Sequence, residues 1–180
     1  MEGKGYLKAY YGDESGFSLD PCIPYGWQPK GEYIKIVPKK SQKINVFGLL
    51  SRDSNLHAYS STDTFCTGLV IACLAEKITQ KTVVVLDNAT IHQSDDFKDK
   101  IQEWQEKGLY IFHLPTYSPH LNLIETLWRK MKYSWSKPHH YESLDILADA
   151  VEEIISDIGK KLQIEFSGLK YFTKHKLSIN

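Results

Sequence analysis

The stretch Thr82-Val83-Val84-Val85-Leu86 has the pattern of a buried β-strand, and Asp87 follows it directly. Consecutive valines favour a strand, and side chains that are apolar on both faces are typical of a central strand paired in parallel. Ligands of open α/β sheets gather at the carboxyl ends of such strands. The stretch therefore predicts an α/β fold and makes Asp87 the first candidate site residue.

Strand patterns precede this stretch, and helix and strand patterns alternate after it. The predicted strands cover residues 7–11, closed by a turn signal at 12–16, then 32–37, 43–50, 55–59 and 109–114, with a hairpin connection at 51–54. The predicted helices cover residues 94–106, 121–135 and 143–158, together with one that starts near Thr62 or Asp63 and carries Phe65, Leu69, Cys73 and Ile78. This order predicts one α/β domain over residues 1–180, with a mixed sheet whose first strands are antiparallel and whose later strands are parallel, flanked by helices.

Composition narrows the class of protein. The chain of 180 residues is 42% hydrophobic and 24% charged, as globular domains are. It has no apolar run of the roughly 20 residues that a membrane span needs, and its first residues lack the layout of a secretory signal. Three cysteines are too few for a disulfide framework, so a reducing cytoplasm is expected. The 22 basic and 22 acidic residues give no net charge, which counts against a free-standing nucleic-acid binder unless the charges are unevenly distributed.

Two further acids stand near elements that can bring them to Asp87. Asp13 follows the first predicted strand, although an acid there is also a common turn former. Glu14 beside it points to the opposite face if the strand continues, so it is not counted with these acids. The predicted helix 121–135 carries an apolar stripe formed by Leu121, Ile124, Trp128, Met131 and Trp135. Glu125 lies beside this stripe, in line with Arg129 and Lys132. The simple alternative is an exposed ion pair between Glu125 and Arg129, whereas a position beside the buried edge lets Glu125 point into a cleft. Three carboxylates brought together would repel one another, and Mg²⁺ or Mn²⁺ would neutralise them.

Four stretches carry recognisable motifs. VLDNATIH at 85–92 resembles the second-aspartate motif of IS630-type transposases of the Tc1/mariner superfamily. LPTYSPHLNLIE at 114–125 resembles the block of that family that ends in its catalytic glutamate. YGDESGF at 11–17 resembles the first-aspartate motif, and YGWQPKG at 25–31 the turn that follows it. Leu123, Thr116 and His120 depart from the usual residues of the glutamate block, but none of these departures removes a metal ligand.

The resemblance implies an RNase H-like fold with the catalytic triad Asp13, Asp87 and Glu125, which would hold two Mg²⁺ or Mn²⁺ ions, Asp13 bridging them. It implies hydrolysis of a phosphodiester at a transposon end, followed by attack of the freed 3′-hydroxyl on target DNA, typically at TA. Family members also carry an N-terminal helix-turn-helix region. We therefore expect a catalytic domain alone (motif core about 6–135, helix and tail 143–180), with end recognition supplied by a separate helix-turn-helix polypeptide.

The resemblance also predicts binding partners and a cellular location. Family precedent favours a homodimer on DNA, although no interface signature is visible in the sequence. No membrane partner is expected, and the predicted location is the cytoplasm, with nucleoid association if the source is prokaryotic. Two alternatives stay open. One is an RNase H-like nuclease that hydrolyses without joining, and the other is a catalytically silent DNA-binding remnant of a transposase.

Supporting residues can be named from their positions. His92 is either a residue that approaches the metals or a core histidine, and Asn88 and Asn122 are expected to hold the backbone beside the acids. Basic side chains flank the predicted site and would neutralise phosphates there. We expect Arg129 and Lys132 to contact DNA; the odds are even for the strand lysines Lys35, Lys39 and Lys40, while Trp27, which can stack on a base, fits core packing better.

Overall fold

The computed structural model describes residues 7–22, 29–32, 42–75, 81–116, 118–164 and 166. Its strands are β1 (Lys8–Ser18), β2 (Lys43–Ser51), β3 (Leu56–Ser61), β4 (Thr82–Leu86) and β5 (Leu109–His113). Its α-helices are α1 (Thr67–Ala75), α2 (Asp95–Glu106), α3 (Ile124–Lys130) and α4 (Leu144–Asp157). The predicted strand at 32–37 lies almost entirely outside the described residues, as do Trp27, Lys35, Lys39, Lys40 and Ile78.

The five strands form one mixed sheet in the order β3-β2-β1-β4-β5. β1 pairs antiparallel with β2, and β2 pairs antiparallel with β3. β4 lies between β1 and β5 and pairs in parallel with both. The predicted mixed sheet, with antiparallel strands first and parallel strands later, is confirmed, and β4 is an internal strand paired in parallel on both sides, as its valines indicated, although the middle strand of the five is β1.

The first strand is longer than the sequence predicts. β1 has 11 residues and passes straight through residues 12–16, which were expected to form a turn. Gly12 is required there for packing, because a Cβ at this position would lie 2.6 Å from Leu86 Cδ2 and 2.9 Å from Leu49 Cδ2. The prediction that Asp13 ends the strand is therefore wrong: Asp13 is paired with Gly48 in mid-strand.

A hydrophobic cluster covers each face of the sheet. One cluster joins Tyr11 and Val85 to residues of α3 and α4, and the other joins Tyr10 and Val84 to residues of α1 and α2. Because side chains alternate along a strand, Asp13 belongs to the face of Tyr11, and Glu14 belongs to the face of Tyr10. Neighbouring acids of β1 thus point to opposite sides of the sheet.

Two helices form where the sequence predicts them, since each has a serine cap. Ser94 Oγ accepts a hydrogen bond from the Phe97 N–H at the start of α2, and Ser143 Oγ accepts one from Ile146 N–H at the start of α4. α1 begins at Thr67 rather than near residue 63, and it buries Val70, Cys73 and Leu74, whereas Leu69 is exposed. No helix in the described ranges has the length and apolar character to cross a membrane.

The predicted helix 121–135 is divided into three pieces. A 3₁₀ turn, Pro119–Leu121, precedes α3, and a π-helical turn, Met131–Trp135, follows it. Leu121 was expected on the buried stripe, but its side chain is exposed because it lies in the 3₁₀ turn and outside the helix. Ile124, Trp128 and Met131 do form the buried stripe, which packs α3 on β1 and β2.

Candidate active site

All three predicted acids line one cavity of about 360 Å³ at the carboxyl end of β4. Asp13 comes from β1, Asp87 follows β4, and Glu125 lies in the first turn of α3. The parallel register pairs Tyr11 with Val85, so two residues further on Asp13 and Asp87 lie side by side on the same face. α3 packs on that face and brings Glu125 to the other side of the cavity.

Asp13 is the most buried of the three acids. Its residue is 9% exposed, and its Oδ2 accepts a hydrogen bond of 3.2 Å from Trp128 Nε1. Burial, as the largest cause, and the negative charges of Glu125, Glu14 and Asp87 together raise the pKa of Asp13 to about 7. The cluster therefore carries more negative charge than its protein surroundings neutralise.

Asp87 is held by donors on one oxygen. Its Oδ1 accepts from the Ala89 N–H at 3.0 Å and lies 3.1 Å from Nδ1 of His92. The hydrogen bond with His92 lowers the pKa of Asp87, although partial burial opposes the shift. Asp87 therefore loses its proton at a lower pH than the neighbouring Asp13 does.

His92 is 1% exposed and reaches a second carboxylate on the other face of the sheet. Its Nε2 lies 3.2 Å from Oε1 of Glu14, within ion-pair distance, and neither atom has a hydrogen-bond partner within the described residues. Burial opposes a charge on the ring, but the contacts with Asp87 and Glu14 outweigh it and raise the pKa of His92 to about 9.

The two asparagines bond to backbone beside the acids. Asn122 Nδ2 donates to the carbonyl of Gly12, the residue before Asp13, at 3.0 Å. Asn88 Nδ2 donates to the carbonyl of Leu114 at 2.6 Å and so ties the segment after β4 to the segment after β5. Both residues also line the cavity, and the buried Oδ1 of Asn122 has no hydrogen-bond partner in the described part of the chain.

The two predicted basic residues lie beside the acids. Arg129 and Lys132 line a second cavity, of about 340 Å³, whose wall also includes Asp13 and Glu125. Lys132 Nζ lies 5.3 Å from the centroid of the Phe17 ring, a cation–π contact. Among the ion pairs of the described residues there is none between Glu125 and Arg129, so the simple ion-pair interpretation of that helix is not what the structure shows.

The donor set suits a divalent cation of the Mg²⁺ or Mn²⁺ type. These ions prefer carboxylate and amide oxygens, and the cavity offers three carboxylates and an unpaired amide oxygen on Asn122. As the side chains stand, no group of three or more His, Cys, Asp or Glu in the described ranges is arranged to hold a metal ion. Like charges favour separation until a cation is present, and a cation would neutralise the carboxylates whose charges contribute to the raised pKa of Asp13.

A family model settles the class of protein. The model of the DDE superfamily endonucleases matches residues 8–148, most of the chain and all three acids. The chain belongs to this endonuclease family. A curated relative, the insertion element IS630 uncharacterized 39 kDa protein of Shigella sonnei, is 25% identical over 156 residues, which are 83% of this chain and 45% of that protein. The resemblance to IS630-type transposases is confirmed.

Solved structures show the same fold in proteins of low sequence identity. The Mos1 strand transfer complex matches 87% of this chain and 50% of that chain with a TM-score of 0.57 at 12% identity. The simian T-cell lymphotropic virus intasome in complex with PP2A regulatory subunit B56 gamma matches 88% of this chain and 50% of that chain with a TM-score of 0.61 at 12% identity. The catalytic core of BIV integrase matches 89% and 87% with a TM-score of 0.52 at 12% identity. The RNase H-like fold is thereby confirmed, and the chain spans about half the length of the curated relative and of the first two structures.

Two partners of the acids were not foreseen. Trp128 was assigned to the apolar stripe, yet its indole N–H also bonds to Asp13. Glu14 was excluded from the triad because it would point to the opposite face, which is where it lies, but its contact with His92 connects that face to Asp87. Residue spacing places Trp128 one turn after Glu125, but the Asp13 contact depends on how α3 crosses β1.

Proposed function

We propose that this chain is the catalytic domain of a metal-dependent DNA transposase. Its reaction would be hydrolysis of a phosphodiester at a transposon end, followed by transfer of the freed 3′-hydroxyl into target DNA, at TA by family precedent. Its DNA partners would be the transposon ends and the target, engaged by a homodimer, with a separate helix-turn-helix polypeptide for end recognition. A cytoplasmic, nucleoid-associated location stays a prediction.

The observation that carries the proposal is the convergence of Asp13, Asp87 and Glu125 on one cavity from three different elements. The elements are far apart in sequence, and each acid is held near the cavity by packing or hydrogen bonds. Burial, together with the negative charge of the neighbouring carboxylates, raises the pKa of Asp13 to about 7, and strongly shifted carboxylates of this kind are typical of functional sites. The match to an endonuclease family supports the same chemistry.

The residues of this chain have separable roles in the proposed reaction. Asp13, Asp87 and Glu125 would hold two Mg²⁺ or Mn²⁺ ions, which when bound activate the attacking hydroxyl and stabilise the leaving oxygen of a phosphodiester. Trp128 fixes the Asp13 carboxylate, and Asn122 fixes the backbone before it. Arg129 and Lys132, on the wall shared with Asp13 and Glu125, would bind the phosphates on either side of the scissile bond.

A strand-transfer assay tests the proposal. The full chain is incubated with a pre-cut DNA end carrying a free 3′-hydroxyl, a supercoiled target and Mg²⁺ or Mn²⁺. We expect joined products, and we expect Asp87→Asn to abolish them while DNA affinity changes little. Asp149→Asn is the matched control, because Asp149 is an exposed aspartate of α4 and should leave joining unchanged.

The two alternatives give different results in the same assay. Cleavage of a phosphodiester without any joined product would identify a nuclease of the same fold. DNA binding without cleavage, in every divalent cation tried, would identify a silent DNA-binding module. Either result would contradict the proposed strand transfer.

A further inference from the structure

His92 is a buried side chain whose two ring nitrogens both contact carboxylates of the site region. It ends the short turn Thr90–His92 after β4 and packs against Phe97 with ring centroids 5.8 Å apart. Its Nδ1 lies 3.1 Å from Asp87 Oδ1, and its Nε2 lies 3.2 Å from Glu14 Oε1. The imidazole therefore links β1 to the acid that follows β4.

The contact with Asp87 has a defined direction. A carboxylate only accepts hydrogen bonds, so the ring nitrogen that faces Oδ1 carries the hydrogen. The same oxygen accepts the Ala89 N–H, and within the described residues no hydrogen bond reaches Oδ2 of Asp87. One oxygen of Asp87 is thus tied to the protein, and the other is left for a ligand in the cavity.

Glu14 supplies the other end of the link. Consecutive residues of β1 send Asp13 to the cavity and Glu14 to the opposite face, where its Oε1 is buried against the ring of His92. A buried imidazole in an apolar cluster needs polar partners, and a core histidine could take them from the backbone. Here both partners are carboxylates that belong to the two strands carrying the catalytic aspartates.

We propose that His92 is a positioning residue of the catalytic site, which holds Oδ1 of Asp87 while Glu14 holds the imidazole, so that Oδ2 of Asp87 remains for a divalent cation. The inference rests on the proposed function in one respect, since it takes Asp87 as a metal ligand. Hydrogen-bond partners of metal-ligating carboxylates orient the ligand, and their loss weakens metal binding roughly 10–100-fold.

Two substitutions separate this role from simple core filling. The amide nitrogen of asparagine reaches the place of Nδ1, whereas that of glutamine reaches the place of Nε2. His92→Asn therefore keeps a donor for Asp87 and loses the contact with Glu14, while His92→Gln does the reverse. If His92 only filled space in the core, both substitutions would change Mn²⁺ affinity to the same extent.

The measurement is the affinity of the full chain for Mn²⁺ by titration calorimetry, with strand transfer from a pre-cut end as the second readout. We expect His92→Gln to weaken Mn²⁺ binding by about 10-fold or more. His92→Asn should stay within about threefold of the unmutated chain, because the partner of Asp87 is kept. Phe97→Leu, which alters the packing against the ring and touches neither carboxylate, is the control and should bind Mn²⁺ normally.

Glu14→Gln gives an independent test if a His92 variant fails to fold. It preserves the shape of the side chain but removes the charge that faces Nε2, and we expect Mn²⁺ binding to weaken several-fold. Normal Mn²⁺ affinity in both His92→Gln and Glu14→Gln, or equal losses in the Asn and Gln variants of His92, would overturn the inference.

The inference and the proposed function fail separately. A chain that binds Mn²⁺ with the expected variant pattern but joins no DNA would contradict the proposed function and support the inference. If both His92 variants join DNA with equal efficiency and bind Mn²⁺ with equal affinity, the result would contradict the inference and support the proposed function. Absence of Mn²⁺ binding by the unmutated chain would defeat both.

Discussion

Asp13 is the residue at which burial and charge repulsion act together. A folded chain that raises the pKa of an aspartate from 3.8 to about 7 binds that proton more tightly than the unfolded chain does. The free energy of unfolding therefore falls as the pH rises from about 4 to about 7, because the folded state must give up a proton it favours. A cation in the cavity would offset this loss.

The first prediction follows from this fall in the free energy of unfolding with rising pH. Asp13→Asn removes the buried charge and keeps an oxygen for the Trp128 indole, so at pH 8 without metal it should stabilise the chain by on the order of 2 kcal/mol. Thermal unfolding in EDTA from pH 5 to pH 8 measures the effect, with a steeper decline expected in the unmutated chain. Mg²⁺ should raise the melting temperature of the unmutated chain more than that of Asp13→Asn; parallel pH curves for the two would contradict the prediction.

His92 is cationic whereas Asp13 is anionic, but the contribution of each to the free energy of unfolding falls as the pH rises. Its pKa is raised from 6.5 to about 9, so its contribution to stability is fully present below 6.5 and is lost as the pH rises toward 9. Both chains in the Asp13→Asn comparison share this contribution. The difference between the two curves of stability against pH therefore gives the contribution of Asp13, because effects at groups that do not interact add.

At the scale of elements, the close approach of α3 to the sheet is what brings Glu125 and Trp128 to Asp13. Gly48 of β2 makes that approach possible, since a Cβ there would lie 2.8 Å from Trp128 Cη2 and 2.9 Å from Ile124 Cδ1. Both neighbours are in the core, so neither can give way without moving the helix. Gly48 is also the residue that pairs with Asp13 across the strands.

The second prediction is that Gly48→Ala destabilises the chain by about 1–3 kcal/mol through overpacking. It should also lower strand transfer, because the indole that holds Asp13 is displaced. Gly16→Ala is the matched control on β1, where a Cβ meets Asn45 Oδ1 at 3.6 Å, an ordinary contact. Chemical denaturation of the two variants measures the effect, and equal stabilities would show that α3 does not depend on Gly48.

The third prediction concerns the start of α4. Ser143→Ala removes the side chain that caps this helix and should cost about 1 kcal/mol of unfolding free energy. Ser156→Ala, in the last turn of the same helix, removes only a hydrogen bond back to the Glu153 carbonyl and should be close to neutral. Urea denaturation of both variants checks the difference, and a loss of the same size at both positions would argue against the cap.

At the scale of the whole molecule, a net charge of zero conceals an uneven distribution near the site. Acids occupy the cavity at the end of β4, and Arg129 and Lys132 lie on the adjoining wall. Such an arrangement suits a substrate whose phosphates are bound by basic side chains while its scissile bond lies over the acids. The overall charge therefore does not argue against DNA as the substrate.

The fourth prediction uses the salt dependence of DNA binding. Replacing both Arg129 and Lys132 with alanine should weaken binding to any DNA sequence and reduce the slope of log affinity against log salt by about 2, roughly one per lost phosphate contact. Lys160→Ala is the control, since Lys160 is exposed beyond the end of α4 and lines neither cavity of the site. Fluorescence anisotropy across a salt series gives the slope, and an unchanged slope would remove these two residues from the DNA interface.

Local sequence patterns determined several elements of this protein and its family. Consecutive valines and the acid after them specify β4 and Asp87, because a strand buried on both faces needs apolar residues throughout. Serine caps and apolar periodicity specify α2 and α4, since helix ends are decided by neighbouring residues. The motifs around positions 13, 87 and 125 indicate the endonuclease family from the sequence alone.

Only the tertiary structure decided how these pieces meet. Residues 12–16 form strand and not turn because they pair with β2, which is distant in sequence. Leu121 is exposed because α3 starts after it, and Trp128 bonds to Asp13 because of the angle at which α3 crosses β1. The contact between Glu14 and His92 has the same origin, because β1 and the segment after β4 are far apart in sequence and the pairing of β1 with β4 brings them together.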